Sequence, residues 1–179
     1  MTVKAPESVK NLADLYGFAP IEFERVGKTL DSIASINPLD ASARYWLATV
    51  RPDGRPHAMP IGILWHDARF YFSANADSQK AKNIARDPHC VVTVAAPGLD
   101  IVAEGKAVKV QDEAKLQRLA DAFGASAGGW HPTVKDGAFW HEYSAPSAGP
   151  PPWEVYEITP ETFYGLATAE PYGATRFRL

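Results

Sequence analysis

Asp77-Ser-Gln-Lys-Ala-Lys-Asn-Ile-Ala-Arg-Asp-Pro88 gathers the residues of this chain best suited to chemistry. Ser78 can cap a helix that Pro88 ends, which places Lys80 in its first turn and Lys82 soon after. Unpaired amides and the helix dipole favour an anion at such a start, and two ammonium groups beside them predict a phosphate seat. Charge-assisted hydrogen bonds are worth about 1.5–3 kcal/mol each. Lys80 is therefore expected to be the main anchor, with Arg51 and Arg55 adding charge if the sheet folds back. The same residues also suit a capped surface helix with solvated lysines, so the helix alone does not specify a ligand.

The segment 55–65 carries a second signal. Pro60 removes a ladder donor and Gly62 a side chain from a stretch otherwise apolar enough to be a central strand. A flat group lying against that backbone would explain both, and so would a proline-interrupted edge strand with a bulge. His57 stands nearby, where a neutral imidazole could hydrogen-bond a ligand or simply be satisfied within the strand. His66, His89, His131 and His141 lack paired spacing with one another or with Cys90, so no metal site is expected. No Gly-x-Ser-x-Gly elbow, P-loop or Gly-x-Gly-x-x-Gly turn is found. Trp46, Trp65, Trp130, Trp140 and Trp153 could stack on a tricyclic ring or pack as core.

The 179 residues suit one domain, 1–179. A hydrophobic share of 46%, a charged share of 22% and a net charge of −3 describe a soluble globular chain and argue against a nucleic-acid partner. Cys90, the one cysteine, rules out an intrachain disulfide and reads as a small core residue. Without an apolar run of about 18 residues, no membrane partner is expected and the location predicted is cytoplasmic.

Apolar spacing predicts helix over 8–16 and, more weakly, 29–36, an N-terminal helical extension within 1–36. A β-hairpin follows, 45–50 and 55–65 around Arg51-Pro-Asp-Gly54. A third strand, 69–73, leads into the capped helix. Further β segments are expected at 90–95, 101–110, 155–158, 162–165 and 175–179, with an amphipathic helix over 112–123. The aromatic, Gly- and Pro-rich stretch 124–152 reads as an irregular lid or dimer arm. Many short strands with few helices suggest a barrel.

The ordered series Leu47-Ala-Thr-Val-Arg-Pro-Asp-Gly-Arg-Pro-His57, Pro60, Phe70-Tyr-Phe-Ser73, the 77–88 segment and Ala174-Thr-Arg-Phe-Arg178 resembles the pyridoxamine 5'-phosphate oxidase-like split β-barrel superfamily. The likeness is greatest to its flavin/deazaflavin oxidoreductases. It spans roughly 40–110 and the last few residues. What it implies is a mainly β (α+β) fold, a six-stranded split β-barrel of the FMN-binding type with flanking helices. It also implies a homodimer with two cofactor sites at the interface, holding F420 or alternatively FMN. By the same resemblance, His57, Ala58, Met59, Pro60 and Ile61 would run along the ring and its ribityl chain. Phe72 and Ser73 would end the next strand, and Ser78, Gln79, Lys80 and Lys82 would surround the phosphate. Arg176 would approach the cofactor or the dimer seam. Gln79 stands where the oxidases proper carry an arginine, and their substrate-phosphate motifs lack a counterpart, so vitamin B6 oxidation is not implied. The activity expected is F420-dependent hydride transfer to or from a small organic substrate, with no dedicated acid or base evident. The alternatives are an FMN-dependent oxidoreductase or a non-catalytic flavin, F420 or haem carrier, with His57, His89 or His131 as haem ligands.

Overall fold

The computed structural model describes residues 4–33, 44–126, 129–145 and 148–179. In chain order its elements are β1 (Ser8–Asn11), α1 (Phe23–Ile33), β2 (Arg44–Val50), β3 (Pro56–Pro60), β4 (Leu64–His66), β5 (Arg69–Ala74), α2 (Gln79–Arg86), β6 (His89–Ala96), β7 (Leu99–Lys109), α3 (Glu113–Ala125), β8 (Thr133–Lys135), β9 (Ala138–Trp140), β10 (Glu154–Ala167) and β11 (Ala174–Arg178).

Strands β3, β2, β6, β7 and β10 form one antiparallel run. The far edge of β10 is shared: β5 pairs with residues 154–158 and β11 with residues 162–166. β4 extends the sheet beyond β5, and β1 extends it beyond β11. Thus β3 and β4 lie at opposite ends of the run, yet only residues 61–63 join them. At about 3.3–3.6 Å per residue that link spans no more than roughly 14 Å, so the sheet must curl until its ends nearly meet. This is the mainly β split barrel the resemblance implies.

Alternation along the strands fills the barrel with Leu47, Val92, Val94, Phe70, Phe72, Ile101, Ile158, Phe163 and Phe177, all buried. α1 closes one side of this core with Val26, Leu30 and Ile33. A second apolar cluster forms outside β5 and β10, where α3 lays Leu116, Leu119 and Phe123 on Tyr71, Val155, Phe139 and Trp153. The Glu157 carboxylate pins that helix, accepting from Tyr71 Oη at 2.9 Å, from Lys115 Nζ and from Arg69 Nε at 3.1 Å. No described helix is long and apolar enough to cross a membrane.

Several expectations need correction. Residues 8–11 form an edge strand on β11 and 14–16 a single 3-10 turn, not a helix, because pairing with β11 satisfies the backbone that apolar spacing assigned to a helix. The residues of that supposed stripe are outward: Leu15 is 88% and Tyr16 75% exposed. α1 starts earlier than position 29, and 34–36 lie outside the described residues. The single strand over 55–65 is two strands in different parts of the sheet, broken after Pro60. The 124–152 stretch contains the β8–β9 hairpin, whose Asp136-Gly137 turn has positive φ at both residues (52° and 71°). The segments 155–158 and 162–165 are one strand, β10, with a register shift between Pro160 and Thr162.

That irregularity has a steric partner. Pro160 pairs with Gly105, and a Cβ on Gly105 would lie 2.2 Å from the Thr159 carbonyl oxygen. Backbone cannot yield as a flexible side chain would. Gly105→Ala is expected to destabilise the protein by about 1–3 kcal/mol or more, visible as a lowered midpoint in urea denaturation.

Candidate functional site

The β2–β3 hairpin turns on Gly54, at φ 83°, and Asp53 engages the Arg55 guanidinium at 2.7 Å. Arg55 is thus held at the turn tip rather than directed towards α2. Arg86, at the far end of α2, donates to the carbonyls of Val50 and Arg51 at 2.9 and 3.2 Å. α2 is tied to the hairpin there, and again through its buried face. Asn83 Nδ2 donates to Thr49 Oγ1 at 2.9 Å, and Gln79 Nε2 donates to Asn83 Oδ1 at 2.8 Å. In the register of the hairpin, Thr49 stands opposite His57.

The start of α2 is built from side chains that satisfy its backbone. Ser78 has extended φ/ψ and its Oγ accepts from Ala81 N at 3.3 Å. Asn75 Oδ1 accepts from Asp77 N at 2.8 Å, while its Nδ2 donates to the Pro150 carbonyl at 2.9 Å. The last contact brings the end of the aromatic 129–153 stretch against the loop before α2. Sequence reasoning quoted Thr49 and Asn83 only within longer motifs and gave none of Asn75, Thr49 and Asn83 a role of its own; the pattern Asn-x-Asp-Ser is a readable turn-and-cap signal.

The two lysines part company. Lys82 is exposed and bridges to Asp77 at 3.4 Å. Lys80 is half-buried, has no ion-pair partner among the described residues, and burial alone holds its pKa below the usual lysine range. An ammonium removed from water without a counter-ion is a cost the fold bears. Lys80 is close enough to His57 to act on it electrostatically. Burial first, then the Arg51 and Lys80 charges, hold the imidazole below its ordinary pKa of 6.5. His57 Nδ1 is buried with no hydrogen-bond partner among the described residues. An anion that carries hydrogen-bonding groups could pair with Lys80 and satisfy the His57 nitrogen.

The other expected residues fall into three groups. Ala58, Met59 and Pro60 are exposed on edge strand β3. Ile61 is half-buried on the main core, and its amide donates to the Tyr45 carbonyl at 3.1 Å. Phe72 is fully buried, stacked on Tyr156 at 5.1 Å and 10°, so its side chain belongs to the core; Ser73, next to it, is half-buried. Gln79 begins α2, but its amide is turned to Asn83. Arg176 lies on β11, at the opposite end of the sheet from β3.

Arg176 is nevertheless on one register row with Pro60. Pro60, Trp46, Thr93, Val102, Tyr164, Arg176 and Lys10 are successive cross-strand partners from β3 to β1. From Trp46 to Arg176 their neighbours in the strands are buried, so this row lies on the outer sheet face. Its members are half-buried or exposed, Trp46 at 44%, and no described helix covers them. Two surface hollows, lined by Glu22, Arg25 and Lys28 and by Phe18, Pro171 and Tyr172, lie away from Lys80.

The family profile for pyridoxamine 5'-phosphate oxidase matches residues 37–167. This chain therefore belongs to the pyridoxamine 5'-phosphate oxidase family. It is 30% identical over 132 residues to a pyridoxine/pyridoxamine 5'-phosphate oxidase of Burkholderia multivorans, a match covering 65% of this chain and 62% of that enzyme. The chain thus spans less than two thirds of that relative. Among solved structures it is similar to General Stress Protein 26 of Bacillus anthracis, with TM-score 0.56 and 19% identity over 87% of this chain and 99% of the other. It is similar also to an FMN binding protein related to pyridoxamine 5'-phosphate oxidase from Nostoc punctiforme, with TM-score 0.55 and 19% identity over 86% and 87%. At these identities the structural likeness concerns the fold.

Because His57 has its pKa lowered in the fold, the unfolded chain takes up the proton first as pH falls. Its contribution to stability is whole above pH 6.5 and is lost below it. Lys80→Met removes one of the charges acting on the ring, so the His57 midpoint should move up towards 6.5, read by NMR of the ring protons. The same variant removes a desolvated charge, so the ligand-free thermal midpoint should hold or rise.

Proposed function

We propose that this protein is an oxidoreductase holding a flavin-type cofactor, and that it transfers a hydride between the cofactor ring and a small organic substrate. The observation that carries this reading is the half-buried Lys80, without a counter-ion among the described residues, within electrostatic reach of a His57 Nδ1 that has no partner among them. FMN and F420 both carry an anionic phosphate tail on a ribityl chain, and both fit that pair. The Ser-Gln-Lys-Ala-Lys-Asn start of the helix favours F420 by resemblance. FMN is the second reading, supported by family membership and by the FMN binding relative of the same fold.

When bound, such a ring supplies the hydride chemistry. Lys80 would hold the phosphate, with the free amides of Gln79 and Lys80 at the start of α2 sharing its charge. His57, neutral at pH 7, would offer its Nδ1 to a polar group of the ring or ribityl chain. Pro60 and Ala58 present a flat, side-chain-poor edge along which an aromatic ring can lie. Lys82, exposed and engaged by Asp77, contributes little beyond its own ion pair.

We propose further that two copies pack through the outer sheet face and that Arg176 of one copy approaches the site of the other. The uncovered row from Pro60 to Arg176 supports this, because a face centred on Thr93, Val102 and Tyr164 is too apolar to be left to water. Val102→Arg points a charge outward from a central strand without entering the core. Sedimentation should report a monomer, with cofactor affinity at least tenfold weaker; an intact dimer would place the interface elsewhere.

Titration with FMN and F420 side by side decides the cofactor, since the two absorb differently in the visible range. Lys80→Ala should weaken the bound cofactor at least tenfold, and unchanged affinity would remove its role. Reduced cofactor offered with enones, quinones and tetrapyrroles tests turnover: consumption beyond one equivalent marks an enzyme, and none across the panel marks a carrier.

A further inference from the structure

The buried face of α2 carries Ala81, Asn83 and Ile84, and the middle one is polar and fully buried. An aliphatic side chain in that place would pack a helix on a sheet without desolvating a carboxamide, and a buried hydrogen-bond pair gains little over such packing. Asn83 therefore calls for another explanation. Its carboxamide is used at both ends, donating to Thr49 Oγ1 at 2.9 Å and accepting from Gln79 Nε2 at 2.8 Å. Thr49 Oγ1 in turn lies 3.5 Å from the His57 carbonyl oxygen, a weak last link. Thr49 is itself 2% exposed.

The two ends of this chain of contacts are the two halves of the anion site. Gln79 adjoins Lys80 in sequence, and Asn83 lies one helical turn beyond Lys80. Thr49 is the cross-strand partner of His57. Apolar packing of Ala81 and Ile84 lets a short helix rotate or slide by fractions of an ångström, whereas directional hydrogen bonds fix both. Slippage of that size changes the separation between the Lys80 ammonium and the His57 ring, the distance on which simultaneous contact with one anion depends.

We propose that Asn83, acting with Thr49, is a positioning residue that locks α2 against the β2–β3 hairpin and so sets the Lys80–His57 geometry that recognises the phosphate of a flavin-type cofactor. This inference rests on the reading of Lys80 and His57 as the anion site. It assigns phosphate discrimination to a residue that does not touch the phosphate.

The test compares FMN with riboflavin, which lacks the phosphate, in fluorescence titrations of the wild-type chain and of Lys80→Met, Asn83→Leu and Thr49→Val. F420 and its tail-less deazaflavin core serve as the equivalent pair. Asn83→Leu should lower the preference for the phosphorylated partner at least fivefold while riboflavin affinity stays within twofold. It should also move the His57 midpoint towards 6.5 as Lys80 drifts from the ring. Thr49→Val, which cuts the same contact from the sheet side at nearly constant volume, should do likewise and serves if Asn83→Leu does not fold. A preference kept within twofold in the folded variants, with Lys80→Met losing it, would overturn the positioning role and leave the anion site standing. A preference that survives Lys80→Met, or is absent from the wild type, would overturn the anion site and this inference with it.

Discussion

Half-burial of one ammonium group, Lys80, with no counter-ion among the described residues is the constraint around which α2 is arranged. Lys80 could swing into water if the helix start were loose, as Lys82 does with Asp77 for company. It is kept where it is because α2 is fastened at three places. The Asn75 and Ser78 side chains hold its first turn, Asn83 holds its middle and Arg86 its end. Every one of those groups is polar and hydrogen-bonded, whereas Lys80 has no ion-pair partner among the described residues. Stability alone does not explain such a layout, since an apolar residue in place of Lys80 would relieve the desolvation.

The barrel places His57 on an edge by the way it closes. Residues 61–63 connect the two ends of the curled sheet, so β3 stays an edge strand and its outer side cannot be paired. Pro56 and Pro60 keep that edge from recruiting another strand, and the backbone they leave is free for a ligand. His57 belongs to this edge yet stands opposite the buried Thr49, and its Nδ1 is buried on a strand otherwise exposed.

On the far side of the sheet the same alternation that fills the core exposes a row from Pro60 to Lys10. The row is continuous because β10 is long enough to pair with β7 along its whole length, and the register shift between Pro160 and Thr162, opposite Gly105, allows it to bend without breaking. One strand thereby carries both the α3 cluster and the edge where Arg176 sits.

Local chemistry made much of this legible in the residues themselves. The Pro-Asp-Gly hairpin, the Ser78 cap, the stop at Pro88 and the amphipathic helix after Asp112 depend on neighbours in sequence, and each stands within a few residues of its expected place. Lys80 and His57 were readable as candidates for the same reason. Only the tertiary structure decided which lysine is buried, that Gln79 faces Asn83, that residues 8–11 are a strand and that 55–65 divides between two parts of the sheet. Those outcomes turn on partners far away in the chain, such as β11 for β1 and Thr49 for Asn83. Desolvation, register and long-range hydrogen bonding exist only once such partners meet.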